Sequence, residues 1–227
     1  TLKESLVTRS RVFSPWTAFY FLQSLLINLG LGYPFSLLYT AAFTAILLLL
    51  WRTLPRVQKV LVGVSSLVAA CYFPFAQAYG APNFNTLLAL HSTNMEESTE
   101  ILTIFPWYSY MVGIFIFVLG VIAIRRKKES EKARWNTFDS LCLVFSVATF
   151  FVAPVQNLAW GGVFKLKDTG YPVFRFAKDV IVNNNEVIEE QERMAKLSGM
   201  KDTWTVTAVK PKYQTYVVVI GESARRD

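Results

Sequence analysis

Five long apolar stretches, roughly residues 13–33, 35–54, 59–78, 104–124 and 137–157, set the terms for anything this chain can fold into. Each approaches the ~20 residues that an α-helix needs to cross a bilayer. Within a bilayer the backbone must satisfy its own hydrogen bonds, and helices do so segment by segment. The first two stretches meet at "GLGYP", residues 30–34, an uncharged tight hairpin. A cleavable signal peptide fits the first stretch poorly, because a second apolar span follows at once. With 53% hydrophobic and 17% charged residues, the chain is more apolar than an ordinary soluble domain, in which about 25% are charged.

The charges are sorted by segment. Lys3, Arg9 and Arg11 precede the first span, Arg52, Arg56 and Lys59 separate the second and third, and Arg125, Arg126, Lys127, Lys128, Lys132 and Arg134 separate the fourth and fifth. The alternate segments, 30–34 and 79–103, contain neither lysine nor arginine. That asymmetry predicts a cytoplasmic amino terminus and, after five crossings, an outer carboxyl-terminal part. In a Gram-negative bacterium the outer side of the inner membrane is the periplasm. Trp16, Tyr33, Trp51, Tyr72, Trp107, Tyr108, Trp135 and Trp160 sit near the span ends, as interfacial anchors do. The net charge of +7 is thereby accounted for by topology, and no nucleic-acid partner is expected. Cys71 and Cys142 lie in apolar runs at opposite predicted faces, which argues against a disulfide and for packing between helices.

Beyond Trp160 the character changes. The stretch "YPVFRFAKDVIV" reads as a helix lying on the outer membrane surface, with Arg175 and Lys178 toward headgroups. The triplet "NNN", residues 183–185, is expected to break or re-cap it, and "EVIEEQERMAKL" to form a second helix with Val187, Ile188, Met194 and Leu197 as its apolar stripe. A linker of mixed strand and coil follows. We therefore expect three parts: a five-helix membrane domain over 1–160, bridging helices and linker over 161–214, and the start of another domain over 215–227.

Two places carry chemistry. The segment "NFNTLLALHSTNMEESTEIL", residues 83–102, is long for a connection and reads as an outer helix. On one helix Asn85, Ala89, Thr93 and Glu97 fall four apart and share a face. Glu96, Glu97 and Glu100 make the patch acidic, which favours a cationic partner such as an ethanolamine ammonium over anionic lipid. A solvated acidic face is the alternative. The second place is "TYVVVIGESARRD", residues 215–227, a short β-branched run closed by a glycine and an acid. Such a run reads as a buried strand of a parallel sheet. Glu222 would emerge at its carboxyl end, where open α/β folds bind ligands, and a carboxylate there suits a divalent metal. Ser223 makes a poor nucleophile elbow, since Arg225 stands where a second glycine belongs. One strand is no domain, and the chain begins with Thr1 rather than methionine, so a piece of a longer protein is expected.

The terminal motif, with Gly221, Glu222, Ser223, Arg225 and Asp227, resembles the segment that opens the catalytic domain of bacterial phosphoethanolamine transferases. The outer loop resembles the same family through Thr93, Asn94, Glu97, Ser98 and Glu100. The resemblance implies an alkaline-phosphatase-like α/β catalytic domain that is largely absent here, with zinc as cofactor and Glu222 as one of its ligands. It implies transfer of phosphoethanolamine from phosphatidylethanolamine to a periplasmic glycan, through a phosphothreonine intermediate whose threonine lies downstream of Asp227. The overall sequence is most similar to members that modify osmoregulated periplasmic glucans. Thr93 and Glu97 match residues that contact the donor lipid, with Asn85 and Asn94 as further candidates. The family often carries an asparagine one turn before that threonine, where this chain has Ala89. The fragment by itself is expected to be inactive. Competing readings are another membrane enzyme of the alkaline-phosphatase superfamily, such as a glycerophosphate transferase or sulfatase-like hydrolase, and a non-catalytic membrane scaffold or sensor.

Overall fold

The computed structural model describes residues 14–93, 95–126 and 135–200, with the backbone alone for 95–98. The described residues fold into α-helices joined by short connections, with no strand among them. In chain order they are α1 (Pro15–Gly30), α2 (Leu37–Thr53), α3 (Pro55–Tyr79), α4 (Phe84–Ser92), α5 (Met95–Ile104), α6 (Trp107–Arg125), α7 (Thr137–Ala159) and α8 (Pro172–Ser198). A 3-10 turn, Leu166–Asp168, precedes α8. The strand expected at 215–227 lies outside the described residues.

Local chemistry sets many of these boundaries. Ser14 accepts a hydrogen bond from the Trp16 amide, and Pro15 takes the first helical position, where its missing N–H costs nothing. At the head of α7 Asn136 accepts from the Thr137 amide while Asp139 accepts from the Asn136 amide, closing a capping box. Pro55 opens α3 directly after Leu54 ends α2. Between α1 and α2, Gly32 has φ +81, and a Cβ there would collide with the Gly80 backbone. The hairpin thus needs glycine both for its conformation and for the approach of α3's end.

Among the described residues, three helices are long and apolar enough to cross a membrane: Pro55–Tyr79, Trp107–Arg125 and Thr137–Ala159. The first two helices are shorter than the expected spans, at 16 and 17 residues. They reach about 25 Å against a hydrocarbon core of ~30 Å.

Helices α1, α2, α3, α6 and α7 alternate in direction. Arg126, at the end of α6, stacks on Trp16 at the start of α1 and Trp51 at the end of α2, with 4.1 and 4.4 Å to the ring centroids. Beside them Arg52 is paired with Asp139. Gly32 and Gly80 meet at the opposite end. The described residues of the two sets of segments that the charge pattern separated therefore fall at two ends of one bundle.

Small residues let the helices close. A Cβ on Gly113 would lie 2.6 Å from the Ala70 carbonyl oxygen, and one on Gly120 would lie 2.6 Å from Ser66 Cβ, so α6 seats its backbone against α3. Several polar side chains are paired within the bundle: Gln23 with Ser66 at 2.6 Å, Asn28 donating to Thr40 at 3.0 Å, and Thr44 donating to Ser24 at 3.2 Å. Each pairing offsets the cost of a polar group kept from water. Cys71 is exposed on the apolar exterior and Cys142 is buried, and both are free thiols.

Two expectations change. Asn183–Asn185 neither break nor re-cap a helix: α8 runs unbroken through them. The outer segment 83–102, in turn, is two helices. Among the described residues, contacts place those up to Glu189 in one compact unit and those from Glu190 to Met200 in another. Most of the bridging helix belongs to the first unit.

Candidate functional site

The bundle end opposite Arg52 and Arg126 carries α4, with Asn85 and Thr93 among the residues the sequence marked for binding. Asn83 caps α4 by accepting from the Thr86 amide at 3.0 Å. Asn85 and Ala89 lie exposed on one face of that helix. At Thr93 the backbone turns extended, with φ −78 and ψ 131. The Thr93 hydroxyl donates to the Ala89 carbonyl oxygen at 2.5 Å and its amide donates to the same oxygen at 2.9 Å.

Thr93 therefore ends α4, and Glu97 belongs to α5. A shared face across Asn85, Ala89, Thr93 and Glu97 does not exist, because one helix does not run through them. Asn94 and the Glu97 side chain lie outside what the structure describes. The threonine's oxygen sits where α4 gives way to α5, at a corner and not on a helix flank. Its hydroxyl proton is committed to Ala89, which leaves the oxygen's lone pairs as its outward-facing chemistry.

Across from this corner lies α8, whose role the local sequence pattern understates. The Tyr33 hydroxyl, from the α1–α2 turn, donates to Asp179 at 2.8 Å. Asp179 also faces Arg175 at 3.6 Å and Lys178 at 3.5 Å, and Lys178 reaches Asp168 at 3.3 Å. The Arg175 guanidinium lies 4.9 Å from the Tyr33 ring centroid. The two cations expected to face headgroups are thus turned partly toward acids of their own end of the bundle. Phe176 packs edge-on to Tyr72, and Val187 is wholly buried. No local pattern flags Asp179, since a lone acid on an amphipathic helix looks like any solvated charge. Tyr171, just before α8, donates to the Ser146 carbonyl oxygen at 2.9 Å, and burial pushes its hydroxyl up to about 12.

Apolar side chains border the α4–α6 region. Leu90, Leu102, Ile104, Trp107 and Tyr108 are all exposed. A polar corner beside an apolar rim suits an amphiphile better than a free solute, since its tails need a dry surface and its headgroup a wet one.

No three His, Cys, Asp or Glu side chains among the described residues come together as a metal site. Glu222, the expected zinc ligand, lies outside those residues. Zinc therefore enters no step that the described geometry supports.

The chain is 98% identical over all 227 of its residues to the protein named phosphoethanolamine transferase OpgE of Escherichia coli (strain K12) and corresponds to 43% of that protein's length. It is 23% identical over 162 residues, 71% of its length, to a Haemophilus influenzae protein provisionally named a phosphoethanolamine transferase, of which it covers 30%. The chain thus spans less than half the length of the curated relatives it matches. No family model matches it. No solved structure matches it either. The resemblance read from the two motifs agrees with both named relatives.

Proposed function

We propose that a chain so nearly identical to a phosphoethanolamine transferase is the membrane part of such an enzyme and receives its lipid donor. The 98% identity over the whole chain carries this reading. In it, α1 and α2 with their flanking residues complete five crossings, the Arg52–Arg126 end faces the cytoplasm, and the α4–α8 end faces the periplasm of the bacterial inner membrane. The donor is phosphatidylethanolamine, entering from the outer leaflet beside the exposed rim of Leu102, Ile104 and Trp107.

Thr93 and Glu97 contact its headgroup, with Asn85 and Asn94 nearby. The carboxylate of Glu97 suits the ethanolamine ammonium, and an oxygen at Thr93 suits an N–H donor. The chemical step belongs to a catalytic domain of alkaline-phosphatase-like fold opened by residues 215–227. There Glu222 supplies one zinc ligand, zinc assists phosphoryl transfer when bound, and a threonine carries the phosphoethanolamine. The acceptor is a periplasmic glycan, an osmoregulated periplasmic glucan in the most specific form of the reading.

The test is transfer from fluorescent phosphatidylethanolamine by the full-length protein in vesicles. Phosphatidylglycerol serves as the donor control. Release of labelled diacylglycerol from phosphatidylethanolamine alone supports the reading, and equal or absent release from both lipids overturns it.

A further inference from the structure

Three consecutive asparagines sit in the interior of α8, where asparagine is a weak helix former because its amide competes with the backbone. The proposed function gives them no task. Asn183 Nδ2 donates to the Asp179 carbonyl oxygen at 2.6 Å and reaches the Pro82 carbonyl oxygen at 3.5 Å. Asn184 Oδ1 lies 2.9 Å from His91 Nε2. Pro82 stands just before the cap of α4, and His91 lies in its last turn. Two neighbouring asparagines thus touch both ends of a nine-residue helix.

Beyond these contacts the helix is only half-buried, along Phe84, Thr86, Leu87 and Leu88. None of its residues is buried. Isolated helices of this length are unstable in water, so its placement must come from contacts. His91 is the chain's single histidine, and two residues beyond it the backbone leaves the helix at Thr93. The contact joins a ring nitrogen of His91 to the Asn184 side-chain amide, and each group offers both a donor and an acceptor.

We propose that His91 and Asn184 form a latch that fixes the end of α4 on α8 and so sets where Thr93 meets the donor headgroup. They are positioning residues for lipid use. The lipid clause rests on the reading of Thr93 given above, whereas the latch itself does not.

Two measurements on the full-length protein in phosphatidylethanolamine vesicles separate these parts. Amide hydrogen exchange over residues 84–104 is expected to quicken about three- to tenfold in His91→Ala and in Asn184→Ala, the range that one net hydrogen bond supports. The double variant is expected to go no further than either single one, and His91→Gln, which keeps a donor at similar reach, to stay near the parent. In the transfer assay the same variants are expected to raise KM for phosphatidylethanolamine by a similar factor with kcat unchanged. Unchanged exchange in both single variants, or additive effects in the double, overturns the latch. Faster exchange with an unmoved KM overturns its role in positioning the donor. If Thr93→Val also leaves donor use untouched, the donor reading fails, while the exchange result still decides the latch.

Discussion

The Tyr33 hydroxyl donates to Asp179 across 2.8 Å, joining positions 146 residues apart in the chain. This bond pins α8 to the turn between α1 and α2, at a place where a surface-lying helix would have left both groups to water. Tyr33→Phe removes one net hydrogen bond and is expected to cost about 1 kcal/mol. Asp179→Ala also leaves Lys178 short of a partner and is expected to cost about 2–3 kcal/mol. Thermal unfolding of the detergent-solubilised protein gives both values. Equal stability of the parent and both variants would show that α8 is held by its apolar contacts alone.

Much of the bundle was legible in the sequence, and the reason is local. Apolar runs with caps such as Ser14–Pro15 and Asn136–Asp139 announce their own ends, so the predicted spans and observed helices differ by only a few residues at most boundaries. What was hidden depends on partners far away in sequence. No glycine or proline marks the break at Thr93, and the 83–102 pattern reads as one helix until the backbone is seen. Asn183–Asn185 look like a breaker, yet α8 continues because two of them find contacts on the α4 segment. Trp16 and Trp51 look like interfacial anchors, but they turn to Arg126. Periodicity records which face is apolar and is silent on which polar groups meet.

Arg52 and Asp139 form an ion pair at the other end, with Asp139 also completing the cap of α7. Asp139→Ala removes one partner of the partly exposed Arg52 and the cap of α7 together, and is expected to destabilise by about 2–3 kcal/mol. Arg52→Ala is expected to fall in the same direction, and the double variant to lose less than the sum. A double-mutant cycle by thermal unfolding measures the coupling, and strict additivity would remove the pair from any structural role.

Gly113 rests against backbone. A side chain there meets the Ala70 carbonyl oxygen, which cannot swing aside as a flexible side chain could. Gly113→Leu is expected to force α3 and α6 apart and cost about 3 kcal/mol or more. Gly199→Leu serves as the control, because a Cβ at that position would have its nearest neighbours at 3.7 Å, an ordinary contact. Membrane-fraction yield and unfolding temperature report the difference, and matching values for the two variants would refute close packing at Gly113.

Tyr171 gives the bundle an alkaline limit. Folding holds its hydroxyl protonated up to about 12, against roughly 10 for a free phenol. The folded pKa is raised, so the associated stability is fully present below about 10 and is lost as pH climbs toward the folded value. The parent is expected to lose stability more steeply between those limits than Tyr171→Phe, which has no proton to release. Unfolding temperatures over that pH range test the sign, and parallel profiles would show that other groups set the limit.

Thr93 offers the sharpest test of the donor site, because its oxygen does two things. As the residue that closes α4 it bonds the Ala89 carbonyl, and in the proposed reading the same oxygen meets the headgroup. Thr93→Ser keeps both, Thr93→Val keeps the shape and loses both, and Thr93→Ala loses shape as well. If headgroup contact is what counts, Thr93→Val is expected to reduce donor use about tenfold or more while Thr93→Ser stays close to the parent. Glu97→Gln is expected to impair use of phosphatidylethanolamine more than binding of a neutral lipid, since it removes only charge. Glu96→Ala is the control, because adjacent positions on any α-helix lie about 100° apart. Cleavage of fluorescent phosphatidylethanolamine by each full-length variant, at matched expression, decides the matter. Equal rates across Thr93→Val, Glu97→Gln and Glu96→Ala would make this segment a solvated acidic face and move the donor site elsewhere on the bundle.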